Sequence, residues 1–351
     1  MTAEAGAALV ARLVERAALD GSTCVPTDAV AASLRGAGHL DVAAALTAAV
    51  DAGTVVSLAD EGLVGHADHA HLEARLAAQL VRLLGTGGED GLLIVDAPRG
   101  TEPRLVVEPL TAAVEASGGQ VVERADRLDL VGAVRLADKL ADGARLVLVG
   151  DPGMPPAPAP GQVLVDVVSS GAVPVLAAPP AGGGLDPLGS LVQSLRAGTL
   201  ARIDTDRREV VVVPAADAAA AVRRAVQLVS DSVPRAFGVA AGDMAVVAPR
   251  IDGRTGVDAL RAALAQAGAD GVEVCGGAEL AGRSAEAIVL VLGAEAAGSL
   301  TRDLLLAAAT QARRHLSIVH QAGPALAEAV ARRPHRSRRT RLAGLLAGSL
   351  G

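Results

Sequence analysis

Phosphoryl transfer at the end of a buried strand needs a glycine-rich loop whose backbone N–H groups face the phosphates. It also needs a lysine for the β and γ phosphates and a Ser or Thr hydroxyl for magnesium. The apolar run LLIVD at 92–96 leads into the loop APRGTEP, which puts Asp96, Arg99, Gly100, Thr101 and Glu102 at such a place. Two of these are carboxylates, and Pro103 offers a metal no hydroxyl. The chain's one lysine, Lys139, lies in a later segment with no glycine loop before it. Further charged groups gather in VVERADRLDL at 121–130, with Glu123, Arg124, Asp126 and Asp129, and in GDPGM at 150–154, with Asp151 and Met154. His66, His69 and His71 stand near Asp68 and could attract zinc or nickel. They lack a fourth ligand in sequence, so a solvated helix start is the plainer reading and no metal is expected. Cys24 and Cys275 have no partners at ligand spacing and read as buried free thiols of a reducing cytoplasm.

Positive charge is concentrated near the C-terminus. In a chain of net charge −7, residues 302–351 carry nine Arg against Asp303 and Glu328. Within ARRPHRSRRTRLAG, Arg332, Arg333, Arg336, Arg338, Arg339 and Arg341 follow a predicted helix that Pro334 should break, so the run is expected to be exposed. Arg313 and Arg314 are a second candidate contact; as residues at a helix end they could equally satisfy its carbonyls. Phe237 is the only residue among Phe, Tyr and Trp. Base stacking, worth about 1–3 kcal/mol per base, is therefore absent, and any nucleic-acid binding would be weak, sequence-independent and salt-dependent. The alternative is that the arginines pair with the chain's own acidic body or with an acidic protein partner, and this is the favoured reading.

Three regions must position these groups. Residues 1–85 read as short helices, with stripes Leu9/Leu13/Val14, Val30/Leu34 and Val42/Leu46/Val50, then a hairpin in VVSLADEGLVG turning at Asp60-Glu61-Gly62 and a helix at 69–84. Thr27 or Asp28 is expected to cap the second helix. Helices followed by a two-stranded wing form a winged-helix-like pattern, here acidic and better suited to protein than to DNA. Strands predicted at 92–96, 120–122, 144–150, 172–176, 209–214, 244–249, 272–275, 287–293 and 315–320 alternate with Ala-rich helices, which implies α/β architecture with parallel sheets covered on both faces. The break at PPAGGGLDP divides two such sheets, giving expected domains at 86–200 and 201–351, the second with a basic tail. The N-terminus does not read as a signal peptide and no apolar run spans a bilayer, so a cytoplasmic protein without membrane contact is expected.

The segment ARLVLVGDPGMPPAPAPGQVLVDVVSSGAVPVL at 144–176 resembles the stretch of RecD-like superfamily 1 DNA helicases that holds motif III. VVAPRIDGRTGVDALRAAL at 246–264 resembles the start of that family's second motor domain, and AIVLVLGAEAAGSLTRDLLLAAATQARRHLSIVHQ resembles its C-terminal segment ending in a TRAR motif. With the winged-helix-like start, these cover most of the chain in the family's order. The resemblance implies two RecA-like domains after a small helical domain.

It also implies where ATP would be handled, and there the residues depart. Glu102 stands at the phosphate-loop lysine and Pro103 at the magnesium hydroxyl. At about 4 Å and an effective dielectric of about 20, a unit charge pair is worth about 4 kcal/mol, so Lys to Glu reverses a large term. Glu123 replaces the metal-binding Asp, Arg124 the catalytic Glu, Met154 the motif III Gln, Glu279 the lysine of a later motif, and Gln311 the arginine finger. The expectation is a pseudohelicase, a scaffold or regulator in DNA metabolism without cofactor or ATP hydrolysis, working with a protein partner. Its competitors are an active DNA helicase with an unrecognised phosphate site and a nucleotide sensor that does not hydrolyse.

Overall fold

The computed structural model describes residues 2–86, 91–182, 185–200, 208–269, 271–280, 283–298, 300–321, 323–332 and 338–350. Parts of the Gly-rich linker (87–90) and of PPAGGGLDP (183–184), together with Arg333 and Arg336, lie outside them.

The N-terminal domain holds α1 (Ala3–Leu19), β1 (Cys24–Pro26), α2 (Thr27–Gly36), α3 (Val42–Asp51), β2 (Val55–Leu58) and β3 (Leu63–His66). The expected hairpin is present, with Leu58 facing Leu63 and a tight turn ending at Gly62, whose φ of 66° favours glycine. Its sheet has a third strand, in the order β1-β3-β2, all antiparallel. Three residues ending in Pro give little strand signal, yet Cys24 to Pro26 pair with Gly65 to Leu63. The cap position of α2 is Pro26, with no side-chain bond, instead of Thr27 or Asp28, because Pro26 is still engaged as the end of β1. Val10, Val14, Val30, Leu34, Ala45, Val55 and Val64 form this domain's core.

The first sheet unit follows with α4 (Ala67–Thr86), β4 (Leu92–Asp96), α5 (Arg104–Ala116), β5 (Gln120–Glu123), α6 (Leu130–Ala137), β6 (Leu146–Gly150), α7 (Val163–Ser169) and β7 (Val175–Ala177). Its strands are parallel, in the order β5-β6-β4-β7. The pleat sends Leu92, Ile94, Leu146 and Leu148 to one face, under α4, α6 and α7, and Leu93, Val95, Val147 and Val149 to the other, under α5. The chain thus leaves neighbouring strands β4 and β6 toward opposite faces. That opens a crevice at their carboxyl ends, the usual ligand position in such sheets.

The remaining elements are α8 (Pro187–Arg196), β8 (Val210–Pro214), α9 (Ala218–Gln227), α10 (Val233–Phe237), β9 (Met244–Ala248), α11 (Val257–Gln266), β10 (Glu273–Gly276), α12 (Gly277–Leu280), β11 (Ala285–Leu292), α13 (Arg302–Gln311), β12 (Ala312–His320), α14 (Ala325–Arg332) and α15 (Leu342–Leu350). The second sheet is parallel, ordered β10-β9-β11-β12-β8. Helices α9, α10 and α11 cover one face, and α8, α13 and α14 the other.

Two placements differ from the expected boundaries. Helix α8 packs Leu188, Leu191, Val192 and Leu195 into the core of the second sheet rather than the first. Helix α15 returns to the first unit, where Leu342 and Leu346 are buried among Leu76, Leu80 and Val167. Residues 338–350 are therefore not a free basic tail. Among the described residues, no helix is long and apolar enough to cross a membrane.

Candidate functional site

The crevice between β4 and β6 opens into a cavity of about 610 Å³ lined by residues of the loops after β4, β5 and β6, by α5 and by Thr310. That volume lies within the roughly 300–1,000 Å³ of small-molecule sites. The sequence-predicted residues Arg99, Pro103, Glu123, Arg124, Asp126, Asp151 and Met154 meet there.

Three backbone N–H groups of the loop after β4 are bonded within the protein. Ala97 N–H donates to Gly150 O at 2.8 Å, Thr101 N–H to Pro98 O at 3.2 Å, and Glu102 N–H to Pro179 O at 2.8 Å. Thr101 Oγ1 donates to Pro98 O at 2.7 Å. Pro98 and Pro103 have no N–H at all. Gly100, with φ of 88°, accepts from Ala181 N–H at 2.8 Å, and a Cβ there would also strike Leu185. The glycine thus serves loop closure against Ala181 and Leu185, while a phosphate cradle needs several converging free N–H groups. Burial raises the Asp96 carboxyl above its usual range, with the Arg196 charge pulling it back.

Arg124 adopts a left-handed conformation with φ of 62°, unusual for a non-glycine residue. Its guanidinium turns onto its own turn, donating from Nε and Nη2 to Asp126 at 3.1 and 2.8 Å. This bidentate, charge-assisted pair closes the turn on itself. Gly150 lets the turn approach, since a Cβ at Gly150 would lie 2.8 Å from Asp126 N.

The remaining positions join the two sheet units. Arg99 donates to Ala312 O at 2.8 Å and Arg313 O at 3.2 Å, and pairs with Asp186 at 2.9 Å. Asp186 also caps α8 by accepting from Gly189 N–H, and Pro187 suits the first turn of the same helix. Arg127 donates to Gln311, which is buried at the end of α13. Asp151, at the end of β6, pairs with Arg196, at the end of α8. Met154 is buried among Leu188, Leu191 and Leu195 on the second sheet's α8 side. A thioether fits that apolar contact, where an amide would need hydrogen-bond partners.

The other predicted residues do not reach the cavity. Arg313 and Arg314 sit on β12, not at a helix end; both are exposed, and Arg313 pairs with Glu286 of β11 at 3.3 Å. Glu279 is exposed and accepts from Gly276 N–H at 3.1 Å. Arg338 and Arg341 are bound into the body rather than exposed: Arg338 donates to Ala159 O and Gly161 O, and Arg341 holds Glu61. Arg339 is exposed. The His66 and His69 rings lie 4.5 Å apart, with burial lowering the His69 pKa, and no group of three or more metal-ligating side chains gathers among the described residues. Cys24 and Cys275 are free and buried, each thiol pushed by burial to about 11.

Sequence reasoning missed Arg127 and Arg196. Arg127 lies within VVERADRLDL but does not stand out there, and Arg196 closes a helix; each becomes a contact only when the second sheet is laid beside the first. Compared with known proteins, the chain matches no family model and no curated protein.

Proposed function

We propose that this chain is a catalytically degenerate relative of RecD-like helicases that serves as a scaffold or regulator in DNA metabolism, without hydrolysing ATP. The observation that carries this reading is the hydrogen-bond accounting of the loop after β4. Its N–H groups at Ala97, Thr101 and Glu102 are bonded internally, and Arg99 reaches across to Ala312 and Asp186. In a motor of this kind nucleotide bridges two RecA-like domains, and its arrival and departure move them. Here protein side chains make the bridge, so the two units are held together without a ligand.

The first domain, with its order α1-β1-α2-α3-β2-β3, fits a winged-helix-like module, and its acidic surface suits a protein partner. Two free buried thiols fit a reducing compartment.

The purified full-length chain, assayed with magnesium, ATP and duplex or single-stranded DNA, is expected to release phosphate at the rate of a no-enzyme blank. Release above that blank, abolished by substitution of Arg99 or Glu102, would overturn the proposal. A substitution series keeps the test informative: Glu102→Lys alone is expected to leave the rate at the blank, because Arg124 and Gln311 still lack the groups that activate water and stabilise the transferred charge.

A further inference from the structure

The segment Arg338–Arg341 runs as a strap through the seam between the N-terminal domain and the first sheet unit. Arg339 O accepts from Thr23 N–H at 2.9 Å, and Arg339 N–H donates to Ser22 Oγ at 3.1 Å. On the other side, Arg338 donates to Ala159 O at 2.8 Å and Gly161 O at 2.6 Å, while Gly161 N–H donates to Gly21 O at 2.9 Å. Thr340 Oγ1 donates to Asp166 Oδ1 at 2.8 Å, and Arg341 N–H donates to Glu73 Oε1 at 2.9 Å. Thr23 Oγ1 donates to the same Glu73 oxygen at 2.9 Å. Leu342 and Leu346 then anchor α15 in the core below.

Two carboxylates hold this strap from beneath, Glu73 on α4 and Asp166 on α7, and they are only 1 % and 3 % exposed. Each receives its hydrogen bonds on one oxygen. Among the described residues, Glu73 Oε2 and Asp166 Oδ2 are buried with no hydrogen-bond partner. An ionised carboxylate in that position bears charge on an unsolvated atom, whereas a protonated one keeps the same accepting oxygen and loses the charge.

We propose that the strap is a proton-controlled latch, which closes the seam between the N-terminal domain and the first sheet unit when Glu73 and Asp166 hold their protons and loosens as they ionise.

The groups facing the two carboxyls set the balance. Glu73 meets Thr23 and Cys24 of the N-terminal domain, Arg341 of the strap, which is itself bound by Glu61, and the charge of Asp166. Asp166 meets Gln162, Thr340 and Arg338. The arginines and hydrogen bonds favour ionisation, but burial is the larger effect at both sites. It lifts Glu73 from 4.5 to about 7 and Asp166 from 3.8 to about 6. A carboxyl whose pKa is raised in the closed state binds protons on closing. Its contribution is therefore complete below the ordinary pKa and lost as pH rises through the raised one. From about pH 5.5 to about pH 7.5, closure is expected to weaken by roughly tenfold or more.

Hydrogen exchange of peptides covering 338–346 in the full-length chain, corrected for intrinsic rates, reads this directly. Wild type is expected to open more readily, by roughly tenfold or more, at about pH 7.5 than at about pH 5.5. The Glu73→Gln/Asp166→Asn double variant keeps the accepting oxygens and carries no charge at either pH, so its protection is expected to be flat across the range. If circular dichroism shows the double variant unfolded, Glu73→Gln alone is expected to remove most of the dependence. Equal wild-type protection at both pH values, or an undiminished dependence in a folded variant, overturns the latch.

Discussion

At the crevice, Arg99 faces Asp186, which is 48 % exposed, and Arg196 faces Asp151, which is 8 % exposed. At the strap, Glu73 and Asp166 are sealed in, each with one oxygen unpaired among the described residues. Both places join parts of the chain that are remote in sequence. At the crevice, Arg99 bonds the backbone carbonyls of Ala312 and Arg313, which do not titrate, so that contribution should vary little with pH. The strap rests on groups that must shed charge to be buried, so its contribution should follow pH. Ion pairing alone thus does not identify the stronger junction; what burial does to each unpaired atom matters more.

The largest expected effect tests whether the strap belongs to the body. Leu346 is fully buried against α4 and α7, so Leu346→Ala should cost about 2–5 kcal/mol, as large-to-small core substitutions do. Urea unfolding of the full chain measures it. A loss below about 0.5 kcal/mol, typical of exposed surface positions, would return this segment to the status of a loose tail.

That segment also shows where the sequence stops being legible. The strands were readable because a strand buried on both faces is a continuous apolar run, as in LLIVD or AIVLVLG. The residues Leu188, Leu191, Val192 and Leu195 have the spacing of one helical face, but such spacing does not say which sheet the face will cover. Helix α15 was hidden by the arginine run before it, since the spacing of charge reveals nothing of Glu61, Glu73 or Asp166 far upstream. At the crevice, the candidate residues could be named in advance. Their partners could not, because the bonds to Pro179, Gly150 and Ala312 exist only in three dimensions.

A smaller effect is expected at the crevice itself. Arg99→Ala removes a charged donor from Ala312 O, worth roughly 1.5–3 kcal/mol in a buried setting. It also removes an ion pair with Asp186 that solvent reduces to roughly 0–1 kcal/mol. With part of the site open to water, about 1.5 kcal/mol is the expected total, the same at mildly acidic and neutral pH. Denaturation at both pH values checks it, and a loss that changed with pH would erase the contrast with the strap.

The smallest effect concerns the arginines that the strap leaves over. Arg338 and Arg341 are committed to Ala159, Gly161 and Glu61, so the polyanion test turns to exposed Arg339 and to Arg332, Arg333 and Arg336, whose side chains lie outside the described residues. Truncation before them would also remove Leu342 and Leu346 and so damage the core, which makes neutralisation the cleaner experiment. Replacing Arg332, Arg333 and Arg336 by Gln should leave the unfolding free energy within about 0.5 kcal/mol of wild type. Four phosphate contacts would give a duplex-binding salt slope of about −3.6, and three fewer contacts would bring it near −0.9. With no stacking side chains to add affinity, weak binding at low salt with a slope no steeper than this is the expected result. A steeper slope that survives the triple substitution would place the phosphate contacts elsewhere, with exposed Arg313 and Arg314 the next to neutralise.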